Sequence, residues 1–138
     1  MKKLLLFILL FGGTIGLTNA QDIKVLNSYL QKAQTRYKKI KEIGDSIVTL
    51  GLQTKLTHKD SISVRNKVLR ITAEISAFQT IMKELEQYSI KEFAKGTKKT
   101  DAEEDQLLKT SRDIDDLSGE VQKMTYSVLV VTPRFMFR

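Results

Sequence analysis

The sequence predicts an all-α protein, an antiparallel three-helix bundle or coiled coil of long helices that follows an N-terminal leader. Three observations carry that prediction. Apolar residues recur every three or four positions through three long stretches, the spacing that lines one face of a helix. Helix breakers are scarce: Pro133 is the one proline, and beyond residue 20 the glycines are Gly44, Gly51, Gly96 and Gly119. The chain has no cysteine, so no disulfide holds an irregular fold together.

The leader comes first. Lys2 and Lys3 precede an unbroken apolar run from Leu4 to Phe11, and Thr18 and Ala20 put small residues where a signal peptidase reads. A membrane-spanning helix needs about 20 apolar residues, and Gly12, Gly13 and Gly16 interrupt this run far sooner. Residues 1–20 are therefore expected to be a signal peptide, cleaved near Ala20/Gln21, which sends the protein to a bacterial periplasm or out of the cell. With no cysteine at the cleavage site, lipoprotein anchoring is excluded. A helical bundle over residues 21–132 and a tail over 133–138 are expected to follow.

The first helix is expected over about 22–52. Ile23, Leu26, Leu30, Ala33, Tyr37, Ile40, Ile47 and Leu50 form a heptad seam, interrupted at Ile43-Gly44. Gly44 and Gly51 weaken its last turns, so a kink or early stop is expected there. Thr57 or Asp60 is placed to cap the second helix, expected over about 60–93. Its stripe is Val64, Val68, Ile71, Ile75, Phe78, Met82 and Leu85, widened by Ile81 and Tyr88. Gly96 marks its end, with Lys95, Lys98 and Lys99 suited to the negative end of the helix dipole. The third helix, over about 101–131, opens on Thr100-Asp101-Ala102-Glu103, a capping box. Leu107, Ile114, Leu117, Val121, Met124, Val128 and Val131 form its stripe, and Pro133 ends it. Val128 to Val131 is also compatible with a short strand.

Charge divides along the chain. Residues 22–56 carry seven basic and three acidic side chains, whereas residues 101–124 carry three and eight. Lys32, Arg36, Lys38, Lys39 and Lys41 form a basic face. It would suit nucleic acid, anionic lipid or an acidic partner. The favoured reading is a solvated face opposite the acidic third helix, because the two segments neutralise each other and export removes most nucleic acid from reach. No aromatic residues alternate with these lysines as base-stacking would require. No nucleic-acid partner is expected.

No catalytic or cofactor motif stands out, and neither enzyme activity nor a cofactor is expected. There is no cysteine nucleophile, no phosphate-binding glycine loop and no zinc-binding histidine pair; His58 is the single histidine and sits at a turn. Asp113, Asp115, Asp116 and Glu120 read as a solvated acidic face, not a metal site. Met82, Met124 and Tyr37 read as core filling. The tail is the unusual feature. Arg134, Phe135, Met136, Phe137 and Arg138 either fold over one end of the bundle as a cap or present an aromatic and basic anchor to a protein partner or membrane surface.

A leader, long amphipathic helices from Gln21 onward and the Thr100-Asp101-Ala102-Glu103 start of a last helix give this chain a plan that resembles the exported helical subunits of conjugative or type IV secretion systems, of the TrbJ-like or minor-pilin-like kind. That resemblance implies a structural or interaction protein with partners in the cell envelope. Homo-oligomers and peripheral membrane contact fit it too. The plan is also similar to small periplasmic helical chaperones, which implies unfolded clients as the alternative.

Overall fold

A computed structural model describes residues 20–94 and 100–136. Residues 1–19 of the expected signal peptide, the segment holding Lys95, Gly96, Lys98 and Lys99, the Met136 side chain, and Phe137 and Arg138 lie outside the described residues. The chain is an all-α helical bundle. Its elements are α1 (Ala20–Gly51), α2 (His58–Ala94), α3 (Asp101–Val131) and a short α4 (Pro133–Met136). The described residues contain no strand, and Val128 to Val131 complete α3 as helix.

The helix starts follow the chemistry of their first turns. At α2, the Thr57 amide and hydroxyl both donate to the Asp60 carboxylate, at 2.8 and 2.6 Å. The Asp60 amide returns a bond to the Thr57 hydroxyl at 3.2 Å. Thr57 and Asp60 thus cap the helix together, which moves its start to His58, two residues earlier than expected. The hydrogen bonds from the Thr57 hydroxyl and amide hold the Asp60 carboxyl below the ordinary aspartate value. At α3, the Thr100 amide donates to Glu103 at 2.9 Å and the Glu103 amide to the Thr100 hydroxyl at 3.4 Å. This is the reciprocal box read from the sequence.

Each helix buries a row with a period of seven. Leu26, Ala33, Ile40 and Ile47 form it in α1, Val64, Ile71, Phe78 and Leu85 in α2, and Leu107, Ile114, Val121 and Val128 in α3. Met82 and Val131 are buried beside these rows, and the other seam residues, among them Leu30, Tyr37, Ile75, Leu117 and Met124, are half-buried. Buried Ser89 and Thr110 satisfy their hydroxyls on the carbonyls one turn back, Leu85 at 2.9 Å and Gln106 at 3.0 Å. Ser118 is buried too, and its hydroxyl meets no partner among the described residues.

The helices contribute to two compact units. The first takes residues 20–34, 79–94 and 100–118 of those described; the second takes 35–78 and 119–136. In the first unit the Tyr29 and Tyr88 rings join α1 to α2, with centroids 6.2 Å apart and planes tilted by 44°. In the second unit α1 and α2 are antiparallel, since Arg36 meets Glu74 while Ser46, further along α1, meets Lys67. There α3 runs parallel to α1: Gly44 faces Met124 and Gly51 faces Val131.

Of the two glycines where a kink or early stop was expected, Gly44 lies within the unbroken helix α1 and Gly51 ends it. Both are buried, and each marks a point where α3 comes too close for a side chain. A Cβ on Gly44 would lie 2.6 Å from Met124 Cγ; one on Gly51 would lie 2.6 Å from Val131 Cβ and 3.1 Å from each of its methyl groups. Gly119 is different, with nothing within 4 Å of its Cβ position.

The three glycines should therefore answer differently to alanine. Gly119→Ala should gain about 0.5–1 kcal/mol from helix propensity and the stiffer unfolded chain. Gly51→Ala should lose about 1–3 kcal/mol, because it overpacks against a β-branched residue that cannot swing away. Gly44→Ala should fall between them, since the Met124 thioether is flexible. Denaturant melts of the three variants check this order; equal gains at all three positions would show that α3 does not approach α1 so closely.

Candidate functional site

Two surface features of the second unit stand out. The first is a groove of about 370 Å³ between α1 and α2, lined by Lys39, Glu42, Ile43, Ser46, Lys67, Arg70 and Glu74. Its floor is apolar at Ile43 and its walls are charged. Glu74, mostly buried, accepts from Arg36 at 3.0 Å and lies 3.9 Å from Lys39. Lys67 donates to the Ser46 hydroxyl. Arg70 and Glu42 are exposed. Partly exposed ion pairs of this kind add little stability, about 0–1 kcal/mol. Their consequence is positional: Glu74 draws Arg36, and at longer range Lys39, to one side, while Lys67 and Arg70 line the groove with no carboxylate paired to them among the described residues.

The expected basic face is thereby divided. Lys32 belongs to the first unit, where its ammonium stands 5.4 Å from the centre of the Tyr29 ring. Arg36 and Lys39 belong to the second and turn toward Glu74 of α2. Lys41 pairs with Asp45 one turn on, at 2.7 Å. That hydrogen bond and charge raise the Lys41 pKa above the usual lysine value, with a smaller contribution from Glu120 of α3. Glu74 and Asp45 are thus the carboxylates that pair with this face, and Glu120 of α3 adds to the field at Lys41. Glu120 itself holds Lys123 at 2.9 Å. Among the described residues no group of three or more histidines, aspartates or glutamates is placed to hold a metal ion.

The second feature is the outer face of α3. Tyr126, Leu129 and Val130 are 71%, 63% and 58% exposed. Their spacing of three and four places them side by side on the helix. Pro133, also exposed, extends the same line. Beyond Glu120 the sequence contains no acidic residue, so Lys123 and Arg134 set the charge around this strip.

The tail residues decide between the two readings of a cap and an anchor. Thr132 accepts from the Phe135 amide at 3.0 Å, and Pro133, which has no N–H to lose, opens α4. That turn sends Phe135 into the core, where it is 1% exposed. The Arg134 guanidinium donates to the Gly51 and Gln53 carbonyls, the second at 3.5 Å, and so closes the C-terminal end of α1. Phe135 is therefore a core residue and Arg134 a helix cap, because the Thr132-Pro133 turn aims both back at α1. Of the two readings of the tail, Phe135 and Arg134 take that of a cap over one end of the bundle and not that of an exposed anchor.

The groove was missed in the sequence because its key residues, Glu74, Lys67 and Arg70, look unremarkable until α1 and α2 are paired antiparallel. The signal was available: charges flank both heptad seams, and the buried Ile40 and Ile71 rows set the register. The apolar strip was missed because Val128 to Val131 reads as one run, although Val128 and Val131 face inward and Leu129 and Val130 face outward.

Comparisons with protein families, with curated proteins and with solved structures return no match to this chain.

Two burial states make opposite predictions for the tail. With Phe135 in the core, Phe135→Ala should cost about 3–5 kcal/mol, read as a lower midpoint in denaturant. An unchanged midpoint would mean that the ring is a surface anchor.

Proposed function

We propose that this protein is an exported, periplasmic interaction protein, a helical component of an envelope or conjugative secretion assembly. The observation that supports it best is the strip of Tyr126, Leu129 and Val130. Single exposed apolar residues are ordinary, but neighbours on one helix face are a docking feature. An amphipathic partner helix fits such a face by burying its own apolar stripe against it. With no acidic residue from 121 to 138, the complementary partner carries acidic flanks. The leader reading supplies the compartment, and the plan shared with exported secretion subunits supplies the kind of assembly.

No helix among the described residues is long and apolar enough to cross a membrane. An assembly role therefore rests on contacts made by these helices.

Site-specific photo-crosslinking in the producing cells tests the proposal. A probe at Leu129 should yield a discrete envelope-protein adduct, and the same probe at exposed Thr49 should not. Tyr126→Ser combined with Val130→Ser should reduce that adduct severalfold while leaving the melt intact. Equal labelling from both probe positions, or no adduct at all, would refute a docking role for this face.

A further inference from the structure

We propose that Lys67 and Arg70 in the charged groove receive Asp113 and Asp116 from α3 of a second copy of this chain. The argument begins with what each side leaves unspent. In the groove, Glu74 is occupied by Arg36 and Lys39. Lys67 is held only by a neutral hydroxyl, that of Ser46. Arg70 is exposed, and no carboxylate among the described residues pairs with it. A guanidinium is the side chain best shaped to take a carboxylate through two parallel hydrogen bonds.

The complementary charges are on α3. Asp101, Glu103, Glu104 and Asp105 stand in its first turns, where the helix N-terminus and the capping box already favour them. Asp113 and Asp116 lie mid-helix, beyond the reach of that dipole, and no cation among the described residues pairs with them. Asp116 is exposed and Asp113 half-buried, as Arg70 is exposed and Lys67 half-buried. Both pairs have the same i, i+3 spacing, so the two cations and the two carboxylates form ladders of equal rung length, about 5–6 Å between Cβ atoms. Two helices laid against each other in this register bring each carboxylate to one cation, with Ile43 at the groove floor beneath them.

The two faces belong to different parts of the chain: the groove is in the second unit and the carboxylate pair in the first. A contact between two different faces can be exchanged reciprocally in a two-fold dimer or repeat from copy to copy in a ring or filament, according to the rotation between copies. It is electrostatic and partly exposed, hence weak singly and sensitive to salt. Raising ionic strength from about 0.01 M to about 1 M shortens the screening length from about 30 Å to about 3 Å. This inference is independent of the partner proposed for the apolar strip, because it is read on the purified protein alone.

Sedimentation velocity across a concentration series is the test, with circular dichroism melts to confirm that each variant is folded. The wild type should associate at low salt and dissociate at high salt. Lys67→Glu with Arg70→Glu, and separately Asp113→Lys with Asp116→Lys, should each weaken association about tenfold or more. Mixing the two charge-reversed proteins should restore it, since each then offers the other an opposite face. The milder pair Arg70→Gln and Asp116→Asn should weaken it without reversal, should either reversed protein fail to fold. A single monomeric mass at every concentration in low salt would overturn the proposal. So would association that survives high salt and is lost instead in Tyr126→Ser, which would place the self-contact on the apolar strip.

Discussion

The missing side chain at Gly51 sets much of the geometry of the second unit. Val131 occupies the space that a Cβ would fill, which brings the last turn of α3 against the last turn of α1. Gly44 does the same for Met124 two turns earlier. These contacts fix the rotation of α3 about its own axis. With Met124 and Val131 turned toward α1, residues 126, 129 and 130 necessarily face away from it. The exposed apolar strip thus follows from the glycine contacts. So does the tail: α3 ends beside the end of α1, and the Thr132-Pro133 turn then brings Arg134 within reach of the Gly51 carbonyl.

The helices themselves were legible in the sequence. Their stripes, the capping box at Thr100 and the end before Pro133 all rest on local rules, and local rules hold when apolar period and cap chemistry agree. The glycines were not legible in the same way. Gly44 and Gly51 have poor helix propensity, which argues for a break. Their real role depends on which helix lies alongside, and a helix can tolerate a loss of about 1 kcal/mol per glycine where close packing offsets it. Phe135 shows the same limit. The sequence left it as either a cap on the core or a surface anchor, and the Thr132-Pro133 turn, which directs the ring inward, decides for the cap. The groove needed register as well, because Glu74 lies 38 residues from Arg36.

The two surface features of the second unit would respond to solution conditions in opposite ways. Contacts through the charged groove weaken as salt screens Lys67 and Arg70. Contacts through Tyr126, Leu129 and Val130 depend on removing apolar area from water and are little affected by moderate salt. The two proposed contacts use different residues, so a partner on the strip and a second copy in the groove would not compete for the same side chains.

A double-mutant cycle at Gly51 and Val131 tests the close helix approach most directly. Val131→Ala is unsuitable because it keeps the Cβ that stands 2.6 Å from the Gly51 position; Val131→Gly removes it. If the approach is real, Gly51→Ala destabilises the native protein by about 1–3 kcal/mol. In the Val131→Gly background the same change should be neutral or stabilising, a coupling of about 1 kcal/mol or more. An equal effect of Gly51→Ala in both backgrounds would contradict the account.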